Sequence, residues 1–279
     1  MPRGLEMREP VHAEFSVAEY ERRVKKAMRL MVERGMDALL LTTEENIRYF
    51  AGGPLTELFQ DKFNDFFLLL PADEAVKAAL IMSHHRQGPC LPSWVPDQRF
   101  WGYDPSGSLM EMSLGIDFVA EVIREKGLAG AKLGMEIDNG LRLGMTCVTF
   151  DKLKARLPKA TILSAADIVW PVRAIKSGEE IAKIRKACRI TCDAFERGLE
   201  ALRPGVRERE LASVIRATMF EEGATGAGFL AVYAGEERGM WADAIASDYQ
   251  LRKGDLVMFD GGCSVDGYFA DVSRQASLG

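Results

Sequence analysis

Hydrophobic and polar residues follow helical and strand periodicities in turn along the first part of the chain. Ser16 and Glu19 have the spacing of a capping box, and apolar residues follow at helical spacing up to Gly35, which predicts a first helix. Continuous apolar runs predict strands at "MDALLLTT", "DFFLLLP" and "KAALIMS", and "ADEAV" joins the last two as a hairpin. Further strands are predicted around "RFWGY", "KLGMEID" and "ATILSA", with helices at about 112–127 and 149–157. This alternation predicts an α/β layer.

The pattern changes at "DIVWPVRAIKS", where Pro171 is expected to break regular structure. Ser177 and Glu180 form a second capping-box pattern ahead of a long amphipathic helix. The next helix, "ERELASVIRATMFEEG", is expected to end at its final glycine, and a strand at "GFLAVYAG" and a terminal hairpin follow. We therefore divide the chain into an α/β domain over residues 1–170 and an α+β domain over residues 171–279.

Composition and charge exclude several classes of function. The 279 residues are 47% apolar, and the net charge of −5 offers no basic face for nucleic acid and no polybasic stretch for a membrane surface. The apolar runs are too short to span a bilayer, and the N-terminus lacks the apolar segment of a secretion signal. The cysteines have neither disulfide nor zinc spacing, so we expect small buried residues in a reducing cytoplasm. They are Cys90, Cys147, Cys188, Cys192 and Cys263.

Two aspartates lie in the terminal hairpin "GDLVMFDGGCSVDGYFADVSRQASLG", among mostly apolar residues. If Asp266 and Gly267 occupy a two-residue turn, Asp260 lies opposite Ser273 and Asp271 is its diagonal neighbour. If the turn slips by one residue at each end, the two aspartates lie directly opposite each other. Both registers place the two carboxylates on one face, with their Cβ atoms roughly 5–8 Å apart. Apolar neighbours on both faces favour a sheet that is covered on both sides.

Two ionised carboxylates in such a place repel each other and lose solvation. A divalent cation, or a pair of cations, held between Asp260 and Asp271 would compensate for both effects. The alternative is that one aspartate is solvated and the other forms a hydrogen bond within a turn. Spacing alone favours this alternative, because two acids in a hairpin are a weak motif. We interpret Asp266 as turn chemistry only.

The residues around the hairpin resemble those of a known family. The hairpin contains a Gly-Asp pair, apolar residues and Asp-x-Gly, and then Gly-Tyr-x-x-Asp-x-Ser-Arg. This order resembles the pattern of the pita-bread metallohydrolases, such as Xaa-Pro aminopeptidase, prolidase, methionine aminopeptidase and creatinase. "NIRYFAG" resembles a stretch of the creatinase-type N-terminal domain, and "RAIKSGEEIAKIRKA" and "LRPGVRERELA" resemble the start of the catalytic domain. The resemblance implies an α/β N-terminal creatinase-like domain and an α+β pita-bread catalytic domain that is incomplete in this chain.

The resemblance also implies roles for individual residues. Asp260 and Asp271 align with the first two metal ligands of the family. Tyr268 would help to keep the turn tight, and Arg274 would support a ligand carboxylate. The implied cofactor is two divalent ions, Mn, Co or Zn, and the implied reaction is hydrolysis of an amide bond in a peptide, typically before proline, or in a small molecule. A homodimer is the implied assembly.

The chain departs from the family pattern in two ways. One histidine and two glutamates should follow the hairpin as further ligands, so we expect this sequence to be the front two-thirds of a longer protein and inactive alone. Asp243 stands near the position of a histidine in the family's peptidases, and no histidine follows His85. A carboxylate at that position cannot donate as a neutral imidazole does, and it adds negative charge near the metals.

This departure leaves two alternatives to a peptidase open. One is a hydrolase or lyase that acts on a small osmolyte-like substrate, and the other is a non-catalytic homologue that serves as a binding or scaffold protein. Two further features have ordinary interpretations. His84 and His85 are expected to be a loop pair, with a metal or catalytic role as the alternative, and the aromatic residues around Trp94 and Trp101 are expected to pack in a core.

Overall fold

The computed structural model describes residues 5–53, 66–84, 91–102, 115–138, 140–235 and 245–279. The chain divides into two compact units, Met1–Ile175 and Lys176–Gly279. Within the described ranges, no helix combines the length and the apolar character that a bilayer crossing requires.

A six-stranded sheet forms the centre of the first unit. Its strands are β1 (Ala38–Leu41), β2 (Phe66–Pro71), β3 (Ala79–Ser83), β4 (Asp97–Trp101), β5 (Lys132–Met135) and β6 (Thr161–Ser164). They lie in the order β4-β3-β2-β1-β5-β6, and β2 pairs antiparallel with β3, which confirms the predicted hairpin. β1, β2 and β3 are buried along their whole length, which explains their continuous apolar sequences.

Helices accompany this sheet in the pattern expected of an α/β layer. They are α1 (Val17–Glu33), α2 (Glu44–Ala51), α3 (Gly115–Glu125), α4 (Cys147–Arg156) and α5 (Ala166–Ala174). Ser16 caps the start of α1, and its hydroxyl accepts a hydrogen bond from the Glu19 amide at 3.2 Å. The Glu19 carboxylate binds the guanidinium of Arg23, which is fully buried and lies over the Phe15 ring. A buried charge of this kind is tolerated because it is paired and hydrogen-bonded.

Two helices of the first unit differ from the prediction. α2 was not predicted, and its burial depends on distant residues, since the Arg23 guanidinium donates to the Tyr49 carbonyl at 2.9 Å. Pro171 lies inside α5, so the interpretation that it breaks regular structure is wrong. The proline removes one backbone hydrogen bond from a nine-residue helix, while burial of Ile168 and Val172 holds the helix in place.

The second unit packs two helices against one face of an antiparallel sheet. The helices are α6 (Gly178–Glu200) and α7 (Glu208–Glu221), and the strands are β7 (Gly226–Ala234), β8 (Leu256–Val265), β9 (Tyr268–Phe269) and β10 (Val272–Ser277). The sheet order is β10-β8-β7, and β9 also pairs with β8. Phe195 of α6 and Phe259 of β8 meet in the core, with their ring centroids 5.7 Å apart. The capping box of Ser177 and Glu180 is formed in both directions, as predicted.

Trp94 and Trp101 confirm the expectation of core packing, whereas Phe100 is half-buried and Tyr103 lies outside the described residues. Trp94 is fully buried, and its indole N–H donates to the Phe50 carbonyl at 2.7 Å. Trp101 is also buried. His84 is half-buried and meets the Phe100 ring edge-on at 6.1 Å, whereas His85 lies outside the described residues.

The cysteines occupy three kinds of environment. Cys263 is buried, Cys188 and Cys192 are half-buried on α6, and Cys147 is exposed, so the expectation of buried cysteines is wrong for Cys147. Cys147 opens α4, whose single buried residue is Leu153, and its side chain therefore faces solvent. Cys90 lies outside the described residues.

Candidate metal site

The terminal hairpin adopts the first of the two predicted registers. Asp260 of β8 pairs with Ser273 of β10. Asp266 and Gly267 form the two-residue turn with φ values of 48° and 75°, the left-handed conformations that such a hairpin turn requires. Asp271 is therefore the diagonal neighbour of Asp260, a relation that corresponds to about 7–8 Å between positions on adjacent strands.

The two faces of this sheet differ in what covers them. Val257 and Phe259 belong to the core formed with α6 and α7. Asp260 and Asp271 lie on the other face, because side chains alternate with a period of two along a strand. Coverage of that face is uneven, because Phe269 is 61% exposed whereas Ala231 and Tyr233, which pair with Asp260 and Met258, are buried. Among the described residues, the expectation of a sheet covered on both sides therefore holds along β7 and fails at the tip of the hairpin.

The backbone beside Asp260 leaves no room for side chains. Gly261 and Gly262 follow it directly, and Gly261 has a φ of 131°. A Cβ atom on Gly261 would lie 2.0 Å from the Phe229 carbonyl oxygen, and one on Gly262 would lie 2.3 Å from the Ala270 carbonyl oxygen. The two glycines therefore allow the neighbouring backbones to approach closely on both sides of β8.

The two carboxylates are accessible and have unused acceptor capacity. Asp260 is half-buried and Asp271 is exposed. Among the described residues, neither carboxylate accepts a side-chain hydrogen bond or forms an ion pair, and no group of three or more metal-binding side chains occurs. Carboxylate oxygens are hard ligands that suit divalent cations. Two of them fit such an ion but supply only part of its coordination shell.

Arg274 lies on the side of the hairpin that faces α6. Its guanidinium donates to the Ser273 carbonyl at 2.7 Å, and its Nη2 atom lies 3.9 Å from the Cys192 sulfur. Alternation along β10 places this side chain on the face opposite to Asp260. The role of Arg274 beside a ligand carboxylate therefore stays a prediction.

Tyr268 and Asp266 connect the turn of the hairpin to α6. The Tyr268 hydroxyl donates to Glu180 at 3.0 Å, and the Asp266 carboxylate lies 2.6 Å from the Lys183 ammonium. Asp266 thus has a role beyond turn chemistry, which the sequence interpretation missed. No local pattern could have found this role, because the contact joins residues 83 positions apart.

Cys263 does not join the candidate site. It lies in the core on the covered face of β8, and its sulfur is 3.5 Å from the Ala187 carbonyl oxygen. Burial raises the pKa of the Cys263 thiol, although a hydrogen bond from Thr191 opposes this effect. The thiol therefore stays protonated near neutral pH and packs against α6.

Asp243 lies outside the described residues, but a buried carboxylate binds both ends of the segment that contains it. Glu208, fully buried in the first turn of α7, accepts from the Ala234 amide at 2.8 Å. It also accepts from the Ser247 amide at 2.8 Å and from the Ser247 hydroxyl at 2.7 Å. Sequence reasoning missed Glu208, because acidic residues in the first turn of a helix are usually exposed and complement the helix dipole.

Comparisons with known proteins match both units of the chain. Residues 23–175 match the family model described as Creatinase/Prolidase N-terminal domain. Residues 182–279 match the model described as Metallopeptidase family M24. The two matches meet close to the division between the two units at Ile175.

Individual relatives carry peptidase names. An uncharacterized peptidase, YqhT, of Bacillus subtilis is 27% identical over 264 residues, which cover 92% of this chain and 65% of that protein. A Xaa-Pro dipeptidase of Pyrococcus furiosus is 24% identical over 259 residues, with the same two shares. Among solved structures, a prolidase from Thermococcus sibiricus has a TM-score of 0.76 at 27% identity and covers 93% of this chain and 66% of its own.

The chain spans about 65% of the length of the relatives it matches. The solved structures confirm the expected fold class, an α/β N-terminal creatinase-like domain followed by part of an α+β pita-bread catalytic domain. By these matches, the chain belongs to the pita-bread metallopeptidases of the Xaa-Pro peptidase and creatinase type, with a Creatinase/Prolidase N-terminal domain and a Metallopeptidase family M24 domain.

Proposed function

We propose that the complete protein is a metal-dependent hydrolase that cleaves the amide bond of Xaa-Pro peptides, and that its cofactor is two divalent ions, Mn, Co or Zn. The observation that carries this proposal is the placement of Asp260 and Asp271 on the open face of one hairpin, without a competing partner among the described residues. The names of the relatives, among them Xaa-Pro dipeptidases, suggest the substrate class.

Each aspartate has a distinct part in this proposal. Asp260 lies inside a strand that is paired on both sides, so it would give an ion a fixed ligand. Asp271 lies just before β10 and is exposed, so it would meet the ion from the solvent side. Bound ions would polarise the scissile carbonyl and lower the pKa of a water molecule. The two carboxylates would hold the ions, and ion binding would relieve their mutual repulsion.

The test of the proposal uses the complete protein with Mn²⁺ and a panel of Xaa-Pro dipeptides. Matched dipeptides with alanine in place of proline show whether the site requires proline. We expect release of free proline, and a loss of at least about 100-fold in kcat/KM for Asp260→Asn. A protein that binds Mn²⁺ and releases no proline would contradict the proposed activity.

A second candidate function is motivated by Asp243, which by the resemblance stands near the position of a histidine in the family's peptidases. A carboxylate cannot donate a hydrogen bond as neutral imidazole does, which favours a hydrolase or lyase for a small osmolyte-like substrate. Asp243→His should then raise activity on Xaa-Pro dipeptides above that of the parent protein. Fewer than about one metal ion per complete chain would instead favour a non-catalytic binding or scaffold protein.

We also propose that the protein is a homodimer in the cytoplasm. The resemblance to the family motivates the dimer, and the unpaired spacing of the five cysteines motivates the reducing compartment. Sedimentation analysis at two concentrations checks the assembly, and a monomer at micromolar concentration would contradict it.

A further inference from the structure

The strand that returns from the turn is interrupted directly before Asp271. β9 contains only two residues, and β10 begins at Val272, so Ala270 and Asp271 lie between two short paired segments. Asp260 lies instead within β8, which is paired with β7 on one side and with β10 on the other. The Ala270 amide still donates to the Cys263 carbonyl at 3.0 Å, so the position of Asp271 relative to Asp260 depends on this bond together with what holds β9.

A buried glutamate of α6 holds β9 from the covered face. Glu180 is 1% exposed, and one of its oxygens accepts the Tyr268 hydroxyl at 3.0 Å. Its other oxygen accepts the Ser177 amide at 2.8 Å, which closes the capping box of α6. One carboxylate thus fixes both the start of α6 and the first residue of β9. Hydrogen bonds to an ionised carboxylate are stronger than those between neutral groups.

A lysine one helical turn further along α6 holds the tip of the hairpin. The Lys183 ammonium lies 2.6 Å from the Asp266 carboxylate, and their side chains are 16% and 31% exposed. The Asp266 amide donates to the Thr225 hydroxyl at 2.6 Å, which fixes the turn from a second direction. Partial burial strengthens such a pair relative to a fully exposed one.

We propose that Glu180 and Lys183 are positioning residues that set the place of Asp271 relative to Asp260, and thereby the ion spacing that the hairpin accepts. This inference rests on the proposed metal role of the two aspartates. The two contacts reach the hairpin at its covered face and at its turn, so they do not occupy the carboxylates on the open face. We name this pair of contacts the α6 clamp.

The first test measures amide hydrogen exchange in the metal-free complete protein. Tyr268→Phe removes the hydroxyl that Glu180 accepts, and Tyr249→Phe removes a comparable hydroxyl that donates to Asp255 at 3.0 Å. Loss of one hydrogen bond to a charged group should accelerate exchange of residues 269–272 about tenfold in Tyr268→Phe only. Unchanged exchange at 269–272, or equal acceleration throughout the second unit, would overturn the clamp.

The second test measures Mn²⁺ affinity by titration in the complete protein. Lys183→Met removes the contact with Asp266, and Lys186→Met removes an exposed lysine of the same helix. We expect affinity to fall about tenfold for Lys183→Met and to be unchanged for Lys186→Met. Lys183→Arg keeps the positive charge and should recover most of the affinity.

These measurements separate the clamp from the proposed activity. A protein that binds Mn²⁺, responds to Lys183→Met as expected and leaves Xaa-Pro dipeptides intact would retain the clamp and lose the proposed substrate. Equal affinities for the two methionine variants would overturn the clamp, whatever the activity. The unfolding temperature of each metal-free variant shows whether a loss of Mn²⁺ affinity follows general destabilisation. If the affinity of both lysine variants falls in proportion to their stability, destabilisation explains the loss and the clamp is overturned.

Discussion

Two pairs of acidic residues in this protein differ in their surroundings. Glu136 in the first unit and Glu208 in the second are both fully buried, and each is surrounded by hydrogen-bond donors. Asp260 is half-buried, Asp271 is exposed, and among the described residues neither receives a side-chain hydrogen bond. The difference separates carboxylates that hold the fold together from carboxylates that remain available to a ligand.

Glu136 shows how completely a structural carboxylate can be satisfied. It accepts from the Thr42 amide at 2.5 Å, from the Thr42 hydroxyl at 2.8 Å and from the Thr43 amide at 3.1 Å. The Thr43 hydroxyl and the Asn46 side-chain amide donate to its second oxygen. Asn46 accepts in turn from Arg173 at 2.6 Å. This network joins the ends of β1 and β5 to the start of α2, and it gives part of the "NIRYFAG" stretch a structural role.

The largest predicted effect is on stability and concerns Glu136, one of the two buried carboxylates. Glu136→Ala should lower the free energy of unfolding of the protein by about 3–5 kcal/mol, because it leaves several buried donors without an acceptor. Urea unfolding followed by circular dichroism measures this loss. Glu45→Ala is the control, since the Glu45 carboxylate is 58% exposed and pairs only with Arg142 among the described residues.

The control should cost less than about 1 kcal/mol, as expected for an exposed ion pair. Similar losses for the two variants would mean that the donors around Glu136 find other partners in the folded protein. The comparison would then fail as a way to recognise structural carboxylates.

A second prediction concerns Asp271, one of the two accessible carboxylates. Asp271→Asn in the complete protein should weaken Mn²⁺ binding by about 100-fold and change the free energy of unfolding of the metal-free form by less than about 0.5 kcal/mol. Asp248→Asn is a matched control, because Asp248 is an exposed acid of the same unit that pairs with Arg209. Calorimetric titration and urea unfolding provide both quantities. A large loss of metal-free stability would show that Asp271 is structural.

The sequence predicted local features of the site well. The turn at Asp266 and Gly267 and the placement of both carboxylates on one face follow from period-two alternation and turn chemistry within one hairpin, whereas the sequence left two registers for Asp260 open. The helix caps at Ser16 and Ser177 were predictable for the same reason, since each depends on residues only three positions apart.

Features that depend on distant residues were not predictable. The contacts of Glu136 with Thr42 span 94 positions, and those of Glu208 with Ser247 span 39 positions. Neither glutamate has a local pattern that distinguishes it from an exposed acid. The exposure of the hairpin on the face of Asp260 was not predictable either, because β8 has apolar residues on both sides and the placement of distant elements such as α6 and α7 decides what covers each side.

The smallest predicted effect on stability concerns Asp97. This partly buried acid is intermediate between the buried glutamates and the accessible aspartates, because two cations pair with it. Burial alone would raise the pKa of Asp97, but hydrogen bonds from Arg99 at 2.6 Å and Lys126 at 2.7 Å outweigh it and hold the pKa below its ordinary value. A depressed pKa means that the ionised form stabilises the fold above the unfolded pKa of about 3.9. That contribution disappears as the pH falls through the lower pKa of the folded state.

Asp97→Asn should therefore lower the free energy of unfolding by about 1 kcal/mol at pH 7, since solvent screens part of the interaction. This gap in stability between the variant and the parent protein should close below about pH 4. Urea unfolding at pH 7 and pH 3 measures both values. The Asp117 carboxylate is 26% exposed, against 17% for Asp97, and Lys152 and Arg156 likewise hold its pKa below the ordinary value against the opposing effect of burial. Asp117→Asn should therefore show the same pH trend with a smaller gap. A gap for Asp97→Asn that persists unchanged at pH 3 would mean that packing of Asp97, and not its charge, stabilises this edge of the first unit.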